Sequence, residues 1–295
     1  MRPMQSGQAS TIAFIGGGNM ARALIAGLLR QGLPPRQISV GEPAVDVRAA
    51  LQRECGVAAS ADNAAAAGNA DLVVLAVKPQ HAGSALRALR AALLQRQPVV
   101  LSIAAGLRLA DLARACPPGT ALVRAMPNRP ALLGAGVTGL YAPPSVTAAQ
   151  RALVELVATA AGRAVWLRNE AELDIVTALS GSGPAYFFLL AEQMALAAER
   201  LGLTHATAAL LAAETLHGAG MLARQDVPLA EQRAAVTSSG GTTEAALRVL
   251  EAGGFDALIA SALQAASARS RQLADMLGAQ LEPPQAGDAH STTPP

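Results

Sequence analysis

Short apolar runs alternate with alanine-rich segments along the first 168 residues of the chain. The runs read TIAFIG, QISVGE, DLVVLAV, PVVLSIA, ALVRAMP, GVTGLYA and AVWLR. They lack a sustained alternation of apolar and polar positions, which is typical of strands buried on both faces. Their spacing suits right-handed strand–helix–strand units. The pattern therefore predicts an α/β domain over residues 11–168, with a parallel sheet between layers of helices.

From residue 169 onwards the pattern changes to long segments with helical periodicity. Four of them begin near Pro184, Thr204, Thr242 and Phe255, and glycines follow at positions where helices end. Residues 169–278 are therefore predicted to be all-helical. These helices are so rich in alanine and other apolar residues that we expect a second subunit to cover them; the alternative is a compact monomeric bundle.

Composition excludes several classes of protein. The formal net charge is only +2, and 2% of the residues are aromatic, so we expect no nucleic-acid partner. Residues 1–10 and 279–295 are polar and are predicted to be disordered. No apolar signal segment or membrane span is predicted, and the two cysteines lack metal-ligand spacing. A cytoplasmic location is the simplest inference.

A glycine-rich segment, GGGNMARALIAGL, follows the first predicted strand directly. It places Gly16, Gly18 and Ala21 in a G-x-G-x-x-(G/A) pattern between a strand and a helix. In that context the glycines permit a tight turn and a close approach of the backbone to a pyrophosphate, which then meets the helix N-terminus. The segment predicts a dinucleotide-binding domain.

The choice between NAD and NADP depends on the end of the second strand. Glu42 stands where an acidic residue binds the ribose hydroxyls of NAD, and its charge would repel the extra phosphate of NADP. Arg48 is close enough in sequence to offset that repulsion. The sequence therefore leaves the choice open.

Other strands of the predicted sheet end in residues that suit a ligand crevice. Lys78, the only lysine of the chain, ends one strand, Ala104–Gly106 follow the next, and Asn128 ends another. Ligands of open α/β sheets lie at the carboxyl ends of the strands, so we expect these residues to face one crevice. Lys78 is then a positive charge beside the cofactor.

The sequence lacks an evident catalytic acid. Of the four histidines only His81, which follows the Lys78 segment, is a candidate. Two loops of small residues, LSGSGPAY and VTSSGGTTEAAL, instead lead into apolar helices. They offer hydroxyl and backbone N–H groups to a small carboxylate, or they only cap the helices.

Six motifs, in this order, resemble the pyrroline-5-carboxylate reductase family: FIGGGNMA, LAVKPQ, SIAAG, VRAMPNRPAL, LSGSGPAYFF and SSGGTTEAAL. The resemblance covers about residues 11–277. It implies an N-terminal Rossmann-type dinucleotide-binding domain, a C-terminal all-helical dimerisation domain, and reduction of 1-pyrroline-5-carboxylate to L-proline by NADH or NADPH. The resemblance also agrees with the lack of an evident catalytic acid in the sequence, because a protonated cyclic imine accepts hydride without further activation.

The resemblance also assigns residues. The cofactor would contact Ile15, Gly16, Gly17, Gly18, Asn19, Met20, Glu42, Pro43, Asn63, Ala76, Val77, Lys78, Pro79, Ala104, Ala105 and Gly106. The substrate would contact Asn128, Glu170, Ser180, Gly181, Ser182, Gly183, Pro184, Ser238, Gly240, Gly241, Thr242 and Thr243. Thr243 and Lys78 are the predicted catalytic residues, and no metal is implied.

In that family the helical domain exchanges between subunits, and dimers commonly assemble into decamers. Two residues depart from its motifs: Arg129 replaces a threonine and Ser239 a proline. They keep open a reductase of another cyclic imine acid, or a non-catalytic dinucleotide-binding relative. The 3-hydroxyacid dehydrogenase and 6-phosphogluconate group uses a lysine of the second domain, and the sequence has no lysine beyond position 78.

Overall fold

A computed structural model describes residues 10–281 of the chain. The disorder predicted for residues 1–10 and 279–295 therefore lies mostly outside the described residues. Within them, residues 10–181 together with 267–281 form one compact unit, and residues 182–266 form a second.

The first unit is built on a sheet of eight strands. They are β1 (Ile12–Ile15), β2 (Ile38–Gly41), β3 (Ala58–Ser60), β4 (Leu72–Leu75), β5 (Val99–Ser102), β6 (Leu122–Met126), β7 (Gly136–Tyr141) and β8 (Gly162–Trp166). Seven of them coincide with the predicted runs. The short strand β3 was not predicted, because its three residues are alanine, alanine and serine and carry no apolar run.

The strand order is β3-β2-β1-β4-β5-β6-β7-β8. Consecutive strands run outwards from β1 in one direction and from β4 in the other, so the order reverses between β1 and β4. All neighbouring strands are parallel except β6 and β7, which pair antiparallel. The predicted parallel sheet is therefore confirmed for every neighbouring pair but this one. Its connection holds only a 3-10 helix, Arg129–Leu133, whereas a parallel crossover needs a dozen or more residues.

Helices of the first unit cover both faces of the sheet. They are α1 (Asn19–Arg30), α2 (Val45–Cys55), α3 (Asn63–Ala67), α4 (Pro79–Ala88), α5 (Arg90–Arg96), α6 (Leu109–Ala115), α7 (Ala148–Thr159) and α8 (Glu172–Val176). Alternate residues of each central strand face opposite layers, as the period of a strand requires. Thus Ile12 and Phe14 belong to one apolar core, and Ala13 and Ile15 belong to the other.

The second unit is helical. It contains α9 (Gly183–Arg200), α10 (His205–Leu222), α11 (Leu229–Ala235), α12 (Thr242–Ala252) and the first part of α13 (Phe255–Gln280). The segment Glu172–Arg200 is long and apolar enough to cross a membrane, judged by length and composition alone. Many apolar side chains of the unit are exposed, among them Phe187 at 60% and Phe188 at 63%.

The last residues of α13 pack on the first unit. Leu281 is buried in the same core as β4 and β5, and it would be the neighbour of any side chain added at Gly83. Gly278 lies against the carboxylate of Asp111. The carbonyl oxygen of Gly278 accepts a hydrogen bond from Arg114 at 2.9 Å. Helix α13 thus continues to Gln280, so a disordered tail beginning at residue 279 is wrong for residues 279–281.

The predicted domain boundary at residues 168/169 falls inside the first unit. The segment after β8 packs directly on the sheet, because Val176 lies against Gly139 of β7. A π-helical turn, Thr177–Gly181, then leads up to the end of the unit.

Candidate functional site

The glycine loop lies between β1 and α1, at the point where the strand order reverses. Gly16 has a φ of +101°, and a Cβ atom there would lie 2.7 Å from the carbonyl oxygen of Ala76. Its N–H donates to the carbonyl of Gly41 at 2.8 Å. A side chain is therefore excluded on steric grounds, and the turn requires glycine.

Gly18 opens the loop towards a ligand. A Cβ atom at this position would have no neighbour within 4 Å, and Gly18 caps α1 without a side-chain hydrogen bond. The first N–H groups of α1 are thus free of a side-chain cap, and the helix dipole adds a partial positive charge at the same end. This is the arrangement that binds a pyrophosphate.

A cavity of about 560 Å³ lies beside this loop. Eight of the predicted cofactor residues line it: Gly16, Gly18, Glu42, Pro43, Asn63, Ala76, Val77 and Lys78. They come from the carboxyl ends of β1, β2 and β4 and from the start of α3. The structure therefore brings together segments that are up to 62 positions apart in the sequence, between Gly16 and Lys78.

Four further residues line the cavity and were not predicted: Gly41, His81, Ser84 and Ala85. The last three lie on α4, one and two turns beyond Lys78. Helical spacing of three to four residues from Lys78 is the signal that could have found them. His81, considered above only as an acid, is instead part of the wall of this cavity.

Glu42 is held in place by the backbone around it. One carboxylate oxygen accepts from the N–H of Gly17 at 2.8 Å, and the other accepts from the N–H of Ala44 at 2.9 Å. Arg48 donates through Nη1 to the carbonyls of Glu42 and Pro43, both at 2.7 Å. The glycine loop and the end of β2 are thereby joined, with the negative charge fixed at the cavity.

Asn63 provides a test of whether the cavity suits a dinucleotide. Its Oδ1 atom is the one buried side-chain polar atom in the described part of the chain that lacks a hydrogen-bond partner. Buried acceptors are nearly always paired, so an unpaired one at a cavity wall needs explanation. Together with the open glycine loop and the acidic residue after β2, it fits a ligand with ribose hydroxyls and phosphates.

The remaining predicted cofactor residues do not line the cavity: Ile15, Gly17, Asn19, Met20, Pro79, Ala104, Ala105 and Gly106. Ile15 is fully buried in β1, and Gly106, with a φ of +75°, packs against Leu277 of α13. We expected Lys78, Ala104–Gly106 and Asn128, after β4, β5 and β6, to face one crevice. Of these, only Lys78 lines the cavity.

The predicted substrate residues of the first unit are tied into its framework. Oε1 of Glu170 accepts from Arg124 Nη1 and from the N–H of Leu109, both at 2.7 Å. Asn128 donates to the carbonyl of Ser180 at 3.1 Å and accepts from the N–H of Val137 at 2.9 Å. Gly181 lies against Met126. Direct contact of these residues with a substrate stays a prediction.

The other predicted substrate residues lie at helix starts of the second unit. Ser182, Gly183 and Pro184 begin α9, and Ser238, Gly240, Gly241, Thr242 and Thr243 begin α12. Gly240, with a φ of +68°, donates its N–H to Glu244 at 2.7 Å. No side chain caps α12, so N–H groups of its first turn are free to bind an anion.

Burial raises the pKa of two thiols in the described part of the chain. Burial raises the pKa of Cys116 to about 11, and burial with the neighbouring Glu54 carboxylate raises that of Cys55. Both stay protonated near neutral pH, so neither is a nucleophile. No group of three potential metal-binding side chains occurs within residues 10–281.

Comparison with known proteins agrees with this geometry. Residues 170–273 match the family described as pyrroline-5-carboxylate reductase dimerisation, and residues 11–106 match NADP oxidoreductase, coenzyme F420-dependent. The chain is 48% identical over 268 residues to the pyrroline-5-carboxylate reductase of Pseudomonas aeruginosa, covering 90% of this chain and 98% of that one. The chain belongs to the pyrroline-5-carboxylate reductase family.

Solved structures of this family have the same fold. A pyrroline-5-carboxylate reductase from Coxiella burnetii matches 90% of this chain and 99% of its own, with 41% identity and a TM-score of 0.87. The Plasmodium falciparum pyrroline carboxylate reductase with NADP bound matches 91% and 100%, with 26% identity and a TM-score of 0.75. The family and the fold class predicted from the sequence are confirmed. The chain is an NAD(P)-dependent oxidoreductase with a dimerisation domain.

Proposed function

We propose that this chain reduces 1-pyrroline-5-carboxylate to L-proline, the last step of proline biosynthesis, with NADH or NADPH as the reductant. The observation that carries this proposal is the cavity at the glycine loop, in a chain that matches reductases of this name over 90% of its length. The bound nicotinamide supplies the hydride. The chain's own residues bind the cofactor and the substrate, orient them and supply charge.

On the cofactor side, the start of α1 would hold the pyrophosphate and Glu42 would accept from the ribose hydroxyls. Lys78 is exposed, lines the cavity and precedes Pro79 at the start of α4. Its role is electrostatic: a compact positive charge near an anionic imine acid. No proton donor is required from the protein, since the imine arrives protonated and hydride addition to its carbon yields the secondary amine of proline.

On the substrate side, the roles follow the family's motifs. Residues 180–184 contact the substrate, N–H groups at the start of α12 hold its carboxylate, and Thr243 hydrogen-bonds the ring nitrogen. These contacts place the imine carbon for hydride transfer, so catalysis depends on position more than on acid or base chemistry. Ser239 removes the fixed φ of a proline from the second loop, which we expect to weaken substrate binding without changing the reaction.

We also propose the assembly and the location. The dimerisation domain makes the chain a homo-oligomer, and by family resemblance dimers assemble further into a decamer. The exposed apolar face of α9 is then covered by another subunit rather than by lipid. Cys55 and Cys116 are both free thiols, which agrees with the reducing cytoplasm.

The test is an assay with purified protein, pyrroline-5-carboxylate and either NADH or NADPH. We expect loss of absorbance of the reduced nicotinamide and formation of proline in equal amounts. In the same assay, Thr243→Ala should lower kcat/KM by about tenfold or more, because one hydrogen bond to a charged group contributes roughly 1.5–3 kcal/mol. Its affinity for the dinucleotide should stay as in the wild type.

Two outcomes would contradict the proposal. If neither cofactor is consumed while an unrelated reductase works in the same mixture, the chain does not act on this substrate. If Thr243→Ala loses dinucleotide affinity and turnover together, the threonine supports the fold instead of the reaction.

A further inference from the structure

The side-chain amide of Asn128 joins three segments of the first unit. Asn128 follows β6 and is 8% exposed. Its Oδ1 accepts from the N–H of Val137 in β7, and its Nδ2 donates to the carbonyl of Ser180 in the π-helical turn. An amide already engaged at both ends is poorly placed to recognise a ligand directly, although the sequence predicted that it would.

The turn that Asn128 reaches has an unusual geometry. Residues Thr177–Gly181 form a π-helical turn, a rare form that is frequently found at functional sites. Thr177 Oγ1 donates to the carbonyl of Leu173 at 2.7 Å, and Ser180 Oγ donates to that of Val176 at 2.9 Å. The Ser180 hydroxyl proton is therefore used within the turn, and the Ser180 carbonyl is held by Asn128.

Close packing leaves the turn little room to shift. A Cβ atom at Gly181 would lie 2.8 Å from Met126 Cε, and one at Gly139 would lie 2.9 Å from Val176 Cγ1. If the π-helical turn relaxed to α-helical register, the residues after it would rotate by about 100°, the angle of one residue in an α-helix. The residues next in sequence are Ser182–Pro184, the end of the proposed substrate loop.

We propose that Asn128 is a positioning residue for the imine-acid substrate, acting through the Ser180 carbonyl rather than by contact. It fixes the register of the turn and therefore the direction in which residues 180–184 face the substrate. This inference rests on the proposed function, which places the substrate against that segment. The dinucleotide cavity does not include Asn128, so the effect should be confined to the substrate.

The test compares two variants with the wild type. Asn128→Asp keeps an acceptor for the Val137 N–H but removes the donor to Ser180, and Asn128→Ser keeps only a short hydroxyl. We expect each to raise KM for pyrroline-5-carboxylate by about tenfold, because the Ser180 carbonyl loses its partner. KM for the nicotinamide cofactor, and its binding measured by fluorescence without substrate, should change less than twofold. Asn69→Asp, on an exposed loop, is the control for the added charge.

Three outcomes would contradict the role proposed for Asn128, and a fourth would contradict the proposed reaction. Wild-type KM for the substrate in both variants would overturn the proposal, and so would equal increases in KM for substrate and cofactor. Failure of both variants to fold would also overturn it, since Asn128 would then support the whole unit and not the loop. A wild-type protein that is inactive with either cofactor would instead count against the proposed reaction.

Discussion

Glu42 shows how one residue fixes the character of a binding site. Its position at the end of β2 predicts a contact with ribose, and the structure adds that two backbone N–H groups hold the carboxylate. Each oxygen keeps a lone pair for a ribose hydroxyl. Arg48 donates through Nη1 to the carbonyls of Glu42 and Pro43, so that part of its guanidinium is already engaged. The negative charge therefore stays at the cavity wall, where it disfavours a 2′-phosphate.

We predict that Glu42→Ser raises the kcat/KM for NADPH relative to NADH by about tenfold. Two like charges at 4 Å repel by about 1 kcal/mol in water and more in a partly desolvated site, and tenfold corresponds to about 1.4 kcal/mol. The measurement is kcat/KM with each cofactor at saturating substrate. Both values should fall in absolute terms, because the loop loses the bond to the Gly17 N–H.

Glu54→Ser is the matched control for this change. Glu54 is exposed on α2, where it pairs with Arg22 and Arg53, and it does not line the cavity. Its removal changes net charge by the same amount and should leave the cofactor ratio unaltered. If Glu42→Ser also leaves the ratio unaltered, the carboxylate does not face the ribose.

At the scale of single residues, the sequence predicts some positions of the candidate site and misses others. Gly16 and Glu42 were predictable because the requirement for a tight turn and the end of a strand are both visible in the sequence. Ser84 was missed, and His81 was considered only as an acid, because reasoning from strand ends stops at Lys78 while the cavity continues along α4. The bonds of Asn128 and Glu170 depend on partners 52 and 46 residues away, and no local pattern reveals them.

At the scale of elements, the apolar runs predicted seven strands and a parallel sheet, but not the one antiparallel pair, β6 with β7. Buried parallel and antiparallel strands are equally apolar, so composition alone did not distinguish β7 from its neighbours. The short connection from β6 to β7 contained the missing information, because a parallel crossover does not fit within it. The end of α13 was missed for another reason: it lies between Gly278 and the Pro-rich stretch that begins at Pro283, and the burial of Leu281 depends on tertiary contact.

We predict that Gly278→Ala lowers the free energy of unfolding by roughly 1–3 kcal/mol, as overpacking at a close contact does. A Cβ atom at Gly278 would lie 2.8 Å from Asp111 Oδ1. Asp111 cannot move freely, because it accepts from the N–H of Arg108 and pairs with Arg114. Urea unfolding followed by circular dichroism gives the change directly.

Gly68→Ala serves as the comparison for this substitution. Gly68 has a right-handed helical backbone, and its nearest neighbours to an added Cβ lie at 3.6 and 3.7 Å, which is ordinary contact. Alanine there should leave stability unchanged or raise it slightly. Equal effects of the two substitutions would show that the end of α13 does not depend on close packing against Asp111.

At the scale of the whole molecule, the second unit leaves large apolar side chains uncovered in the single chain. Phe187, Phe188 and Leu210 are each at least 60% exposed in the single chain. Apolar patches of this kind mark an interface. The sequence-based expectation of a partner subunit is confirmed by the dimerisation-domain match, whereas the number of subunits depends on interface geometry that composition does not encode.

We predict that light scattering at micromolar concentration shows no species of a single 29.8 kDa chain, and that the main peak has about ten times this mass, as the decamer proposal requires. Phe188→Glu should shift the mass downwards and lower the thermal midpoint together, because a buried charge without a partner costs several kcal/mol across an apolar interface.

Leu94→Glu introduces the same charge at a 54% exposed position on α5 of the first unit and should change neither quantity. A wild-type peak at the mass of a dimer would remove the decamer and keep the dimer, whereas a monomeric wild type would mean that the exposed face of α9 serves another purpose.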